Sequence, residues 1–448
     1  MSLKKILFCT AVLALCAGAA AQTTRDGRNV DLRFYGIYRA YPQTVPPAIK
    51  APKGYRPVYI SHYGRHGSRY IIPDSTYTFI KKVLETADAD GKLTDEGKAL
   101  KKHYLTYVFP NATGRAGELT PVGMTQHRDI ATRMYRNFPS LFKGKARVIA
   151  NSTNFERTML SMLYFCDALH LCNPALDIKA DASITDTYYL NPHQASNPLS
   201  REFEKNWKND YNAAWLPEHK KYAESHIDWH PFAGRIFTDT LYASSRWNMF
   251  IFDEAIYTVA ISMGGMAIPQ DNYFRFWNYD ELEWMARCNE NYKYYVMKGN
   301  YPGGLGRAPA LCEAMLNDII TRTESDIREG VKARLRFGHD GCIMAMFALM
   351  EIPGWEKAEA DPDKFWDCWS DEEIPMAANI QMVVFRGRTD DDLILCWLVN
   401  EKPMKLQIGE VAPGFYKWSD FRDFYSERVE YGRKHMEESN RILDKLNN

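Results

Sequence analysis

The 448-residue chain has no surplus of either charge, with 56 lysines and arginines against 56 aspartates and glutamates. That balance supplies no global field to select nucleic acid. Beyond the first two dozen residues there is no long apolar run, so no stable membrane span is expected. Nine cysteines in a chain of this length are too few to stand in for a hydrophobic core, and the length itself allows a substantial one, divided between two domains if need be. Internal repeats and low-complexity tracts are absent.

The one apolar stretch is short and terminal. Lys4 and Lys5 precede Ile6 to Cys16, and the small residues Ala17-Gly18-Ala19-Ala20-Ala21 follow. This has the form of a cleaved secretory signal, residues 1–21, with Gln22 first in the mature chain. Leu15 fits poorly in a peptidase pocket made for small residues, which argues against lipidation of Cys16, so a periplasmic or secreted protein without an anchor is expected. Removal of two lysines leaves 54 basic against 56 acidic residues, and seven cysteines: Cys166, Cys172, Cys288, Cys312, Cys342, Cys368 and Cys396. An odd number leaves at least one thiol free, and Cys166 with Cys172 is a disulfide candidate on spacing alone.

The remaining pattern is α/β. Pro57-Val58-Tyr59-Ile60-Ser61 reads as a strand, followed by a loop at Gly64 and Gly67, then helices over about 75–87 and 95–108. Leu119-Thr120-Pro121-Val122-Gly123 opens another helix running toward Asn137, and Ala146 to Ala150 has the composition of a buried strand. Between about 185 and 310 the chain turns aromatic and polar, with long helices expected around 247–263 and 281–298, which reads as an inserted, mainly helical cap. Residues 22–184 and 311–448 then form one catalytic core discontinuous in sequence, with helical character over Ser325 to Leu335 and a hairpin joining Ile380–Phe385 to Leu393–Val399.

Arg65-His66-Gly67-Ser68-Arg69 follows the first strand, where open α/β sheets place their ligands. Arg65 and Arg69 offer directional hydrogen bonds to phosphate oxygens, Gly67 allows a tight backbone path, and neutral His66 is a nucleophile for phosphorus. Gly338-His339-Asp340, far along the chain, supplies a second imidazole and a carboxyl group able to donate a proton. Arg157, in Asn151-Ser152-Thr153-Asn154-Phe155-Glu156-Arg157, adds a cation just after the second strand. Taken together these point to a phosphohydrolase.

The early Arg-His-Gly motif, Arg157 and the late His-Asp pair together resemble the histidine acid phosphatase branch of the histidine phosphatase superfamily, which includes phytases, acid phosphatases and multiple inositol polyphosphate phosphatases. Leu119-Thr120-Pro121-Val122-Gly123 and Ile374-Pro375-Met376-Ala377-Ala378-Asn379-Ile380 are supporting matches, so the resemblance extends over most of the mature chain. It implies a three-layer core like that of phosphoglycerate mutase with an inserted helical cap. It also implies His66 as nucleophile, Arg65, Arg69 and Arg157 as phosphate clamps, His339 as a further phosphate contact and Asp340 as proton donor to the leaving group. No cofactor or divalent metal is called for, since three arginines and a protonated His339 would counter the phosphate charge. Two features depart from the family pattern. Ile71 stands where many members have proline, and His339-Asp340 replaces the His-Ala-Glu of the multiple inositol polyphosphate phosphatases, although Tyr70 is similar to that subgroup's early motif.

The substrate expected on this basis is a small phosphomonoester, with phytate or another inositol polyphosphate favoured. A broad-specificity or sugar-phosphate acid phosphatase is the alternative, and an inositol-phosphate-binding protein without turnover the second. Specificity is expected in the Ile71–Thr78 loop and the cap, where Arg235, Lys293 and Lys298 are weighed between further phosphate contacts and ordinary surface charge. His62 and His66, four apart, are not expected to hold a metal, because the strand and the glycines interrupt helical geometry. Gly303 to Arg307 lacks the ending of a P-loop and reads as a linker, and Trp366 and Trp369 read as packing residues.

Overall fold

The computed structural model describes residues 22–43, 50–192, 212–288, 292–304, 306–367, 369 and 373–446. The expected secretory segment, Cys368 and part of the expected cap lie outside the described residues.

The architecture is α/β around one mixed sheet. Four strands, β1 (Arg56–Arg65), β2 (Arg147–Ser152), β3 (Asp177–Asp181) and β4 (Val331–Gly338), run parallel in the order β3-β2-β4-β1. An antiparallel set completes the sheet: β5 (Asn379–Arg386) beside β1, β6 (Leu393–Val399) beside β5, then β7 (Lys402–Pro403), β8 (Glu410–Ala412) and β9 (Phe415–Lys417). β5 and β6 form the expected hairpin, with Ile380 opposite Val399 and Phe385 opposite Ile394.

Both faces of the central strands are covered, as apolar residues of alternating direction require. Ile60, Val148, Leu335, Phe337 and Val383 pack with Ile130 and Phe165, which come from the helices Pro121–Asn137 and Glu156–Cys172. Tyr59, Tyr63, Met382 and Val384 face the other way, into a core that continues through Met315 and Ile319 to Phe252, Ile256 and Trp277 of the helical insertion. That insertion, between β3 and β4, includes the helices Asn212–His226, His230–Ile236, Thr240–Arg246, Met249–Ser262, Tyr279–Ala286 and Tyr292–Lys298. Met249–Ser262 is apolar nearly all round and buried accordingly. The expected helix over 281–298 is described in two stretches, Tyr279–Ala286 and Tyr292–Lys298, with residues 289–291 outside the described residues.

Two expectations are corrected. Ser325 to Leu335 is not one helix. Helix Glu313–Arg328 ends there, Gly330 turns the chain with φ 78°, and β4 begins at Val331. The alternation Ala333, Leu335, Phe337 against Arg334 and Arg336 is a strand pattern, whose arginines pair with Asp326 and Asp318 at 2.6 Å on the opposite face. The Cys166–Cys172 disulfide is absent. Both thiols are free and lie on one continuous helix, where six residues separate their Cα atoms by about 9 Å, beyond disulfide reach. Ile71, at the position where many members of the resembled family have proline, is buried, 1% exposed, and its amide donates to the Tyr77 hydroxyl.

The register of the parallel strands sets the position of everything that follows. Arg65 is level with Gly338 across β1 and β4, and Ser152 is level with Phe337 across β2 and β4. His66, Thr153 and His339 therefore leave the carboxyl edge of three adjacent strands within a residue of one another. This is the edge at which parallel sheets expose loops to ligands.

Candidate active site

β1 runs through Gly64 to Arg65, four residues beyond the expected strand, so His66 is the first residue past its end. Its amide donates to Gly338 O at 3.0 Å and its carbonyl accepts from Ala377 N at 2.9 Å, which pins the turn between β4 and the approach to β5. The His66 Nδ1 lies 2.9 Å from Gly67 O. A carbonyl only accepts, so Nδ1 carries the proton, and the lone pair of the neutral ring sits on Nε2. Burial drives the His66 pKa well below the usual imidazole range, and Arg157, Arg65, His339 and Arg69 push it further in the same direction. The ring is held neutral.

Gly67 is required by close approach. A Cβ there would come within 2.6 Å of Gly123 O and 2.7 Å of Gly123 Cα, backbone atoms of helix Pro121–Asn137. That helix begins at the Leu-Thr-Pro-Val-Gly match, with Thr120 accepting from Gly123 N through its side chain and donating its own amide to Ser68 O.

The six predicted site residues are brought together. Arg65 is fully buried. Its Nη1 donates to the carbonyls of Ile37 and Ile374 at 2.6 and 3.0 Å, while Nη2 lies 2.7 Å from Asp340 Oδ2 as an ion pair. Arg69 holds Tyr70 O at 3.0 Å and stacks its guanidinium 5.3 Å from the centre of the Tyr38 ring. Arg157, second residue of helix Glu156–Cys172, lies 4.8 Å from the Phe155 ring. Phe155 in turn meets the His339 ring edge-on at 5.0 Å, and His339 lies 5.6 Å from His66. The Nε atoms of Arg65, Arg69 and Arg157 are all buried and have no hydrogen-bond partner among the described residues. Buried donors of that kind are costly unless an acceptor comes to them.

Electrostatics follow from crowding three cations into a buried space. Burial, with the repulsion of Arg69 next, lowers Arg157 to about 10. His339 falls to about 3 through burial and the nearby Arg157, so the protonated His339 expected from sequence is not the form this site holds by itself. Asp340 departs from expectation likewise. Burial acts to raise its pKa, but Arg65, then His339 and Arg69, hold it below the ordinary carboxylate value, so it is ionised rather than protonated.

Several partners carry no sequence signal. Tyr63 clamps His339 from below, accepting from its amide at 3.0 Å and donating to Leu190 O at 2.9 Å. Gly338 leaves room for that hydroxyl, which any Cβ would strike. Thr153 Oγ1 is 3.3 Å from His339 Nε2. From the insertion, Tyr294 lies within electrostatic reach of Arg65, Arg69 and Arg157, and the Lys298 Cε would be 2.9 Å from a Cβ on Gly341, against the turn that carries Asp340. The other residues weighed for binding lie elsewhere. Arg235 is tied to Glu281 by two bonds of 2.6 and 2.9 Å and to Phe276 O, Lys293 is exposed, and Trp366 and Trp369 are buried. His62 is buried with Phe165 and Phe337, beside His127, and makes no pair with His66.

Comparison with known proteins bears on the fold and the family. No curated protein sequence matches the chain. Among solved structures, the multiple inositol polyphosphate phosphatase of Bifidobacterium longum in complex with phosphate superposes with a TM-score of 0.69 at 19% identity, over 86% of this chain and 96% of that one. The same enzyme with inositol hexasulfate gives 0.67 at 19% identity, over the same shares of the two chains. The phytase from D. castellii gives 0.66 at 16% identity, over 89% and 85%. At these identities the likeness is one of fold. The family model for branch 2 of the histidine phosphatase superfamily matches residues 64–396, from the end of β1 through the hairpin, and with it the chain belongs to that superfamily's second branch.

Proposed function

We propose that the protein hydrolyses phosphomonoesters through a phosphohistidine at His66. The observation that carries this reading is the Nδ1 contact to Gly67 O, which leaves an unprotonated Nε2 near the buried Arg65, the part-buried Arg69 and Arg157, and a carboxylate. In the first step Nε2 attacks phosphorus, the N–P bond forms and the ester P–O bond breaks, and Arg65, Arg69 and Arg157 take up the charge on the nonbridging oxygens. The departing alkoxide takes a proton from Asp340. In the second step water attacks phosphorus, Asp340 accepts its proton, and inorganic phosphate leaves with His66 restored.

Asp340 needs a proton for the first step, and the unliganded site holds it ionised because Arg65 sits 2.7 Å away. A bound phosphate competes for that guanidinium and offsets the positive field, which raises Asp340 toward protonation and His339 toward its cationic form. Substrate thus creates its own acid, and turnover is expected to favour acidic pH.

Among phosphomonoesters, we favour phytate or a related inositol polyphosphate. Three clustered arginines with Lys298 close by suit a substrate of high negative charge, and the B. longum and D. castellii proteins of the same fold are an inositol polyphosphate phosphatase and a phytase by name. The amino-terminal segment, on this reading, exports the enzyme to the periplasm or medium. The test is metal-free phosphate release by wild-type and His66→Ala protein across acidic pH, with phytate and simple monoesters side by side. Loss of turnover in the variant is expected. Undiminished turnover removes the covalent route, and activity confined to simple esters removes the phytate assignment.

A further inference from the structure

The peptide that joins Gly67 to Ser68 is held at both ends. Its carbonyl accepts from His66 Nδ1 at 2.9 Å, and its N–H donates to Gln126 Oε1 at 2.9 Å. Gln126 Nε2 donates in turn to Ser68 Oγ, also at 2.9 Å, so both ends of the amide are engaged and its orientation is set by the backbone donor. Gln126 is 8% exposed, on helix Pro121–Asn137, three residues past the glycine on which Gly67 packs. The chain of donors and acceptors runs Nδ1–H to carbonyl, peptide N–H to side-chain carbonyl, and each bond in such a chain polarises the next.

We propose that Gln126 is a positioning residue for the nucleophile, fixing the plane of the Gly67–Ser68 peptide so that His66 keeps its proton on Nδ1 and presents Nε2 to phosphorus. The inference rests on the reading of His66 as the attacking group. It differs from a mere packing role because the amide bonds to Ser68 and acts through one peptide, whose rotation would swing the accepting carbonyl away from Nδ1. The freed ring would then exchange tautomers and carry hydrogen on the attacking nitrogen part of the time.

The test uses the full mature chain with 15N-labelled histidine, the His66 signals being assigned by their loss in His66→Asn. The wild type is expected to show Nδ1 protonated and Nε2 bare at neutral pH. Gln126→Met, close in volume but without an acceptor, is expected to raise the Nε2–H population and to lower kcat by about 10- to 100-fold with KM little changed, the range seen when an outer partner of a metal-bound histidine is removed. Gln126→Glu keeps an acceptor for the Ser68 amide and is expected to recover most of that loss. A wild-type His66 with its proton on Nε2 overturns the proposal without any variant. So does a folded Gln126→Met protein with unchanged tautomer and kcat, or an equal loss in Gln126→Glu. Quenching into alkali, in which a phosphohistidine survives, separates the two readings. Its absence in wild type removes the nucleophile assignment itself, while its presence beside an unaffected Gln126→Met removes only the role of Gln126.

Discussion

Gly67→Ala isolates geometry from chemistry, because it leaves every titratable group of the site in place. The added methyl would sit 2.6 Å from Gly123 O, 2.7 Å from Gly123 Cα and 2.8 Å from Gly123 C, where ordinary contact is 3.4–4 Å. The obstacle is backbone, so no rotamer relieves it, and the His66–Ser68 turn must back away from helix Pro121–Asn137 by about 0.8 Å, the shortfall from 2.6 to 3.4 Å. Overpacking of that order costs about 1–3 kcal/mol of stability. A displacement approaching 1 Å at an attacking atom costs on the order of 100-fold in rate. Stability is read from a urea transition and rate from phosphate release at saturating substrate. The matched control is Gly234→Ala, within helix His230–Ile236, where a Cβ meets nothing within 4 Å and the helical gain is about 0.5–1 kcal/mol. Wild-type kcat in Gly67→Ala, with the transition unmoved, would refute the claim that this contact positions the nucleophile.

Two further outcomes follow from the site's charges. Asp340→Asn removes the proton donor while keeping shape, so kcat on alkyl phosphates should fall by about 100-fold or more, and on aryl phosphates with acidic leaving groups far less; equal losses on both would deny Asp340 the role of acid. Acidification should destabilise the unliganded protein. His62, His127 and His339 are brought by burial from the ordinary 6.5 to about 3, so between those values the unfolded chain binds protons that the folded one refuses. Stability is then complete above about pH 6.5 and declines as pH falls through that window, with inorganic phosphate counteracting the loss by binding the native site. A thermal midpoint that is flat or rising from neutral pH down to about pH 4 would contradict this.

Much of the candidate site could be read from residues alone because its parts are short and locally encoded. Arg65 to Arg69 is a contiguous string after a strand, and His339-Asp340 follows another. The helix start at Thr120 and the β5–β6 hairpin are likewise signalled by capping chemistry and alternation. What escaped was set by tertiary contact. Nothing in the neighbourhood of Asp340 announces that its partner is Arg65, nor that in the unliganded site Asp340 and His339 are held below their ordinary values by Arg65 at the end of β1, Arg69 just past it and Arg157 on helix Glu156–Cys172. Tyr63, Ile37 and Ile374 contribute a hydroxyl and two carbonyls from segments that look like ordinary core. Arg334 and Arg336 misled the reading of β4 because their charges, buried against Asp326 and Asp318, interrupt the apolar run that a central strand normally displays.

β1 has two neighbours in the sheet, and both arrive late. It pairs with β4, which begins at Val331, and with β5, which begins at Asn379, although β1 itself is finished by Arg65. A growing chain therefore carries its nucleophile strand without a single ladder partner through the synthesis of the whole helical insertion, and ring closure over that distance favours slow assembly. The same wiring means that an amino-terminal fragment ending anywhere before Val331 holds His66 without the strands on either side of β1, while a carboxyl-terminal fragment holds Asp340 without His66. If His66 and Asp340 act as proposed, neither fragment holds both, and a prematurely ended chain is expected to stay silent until the missing piece joins the one sheet.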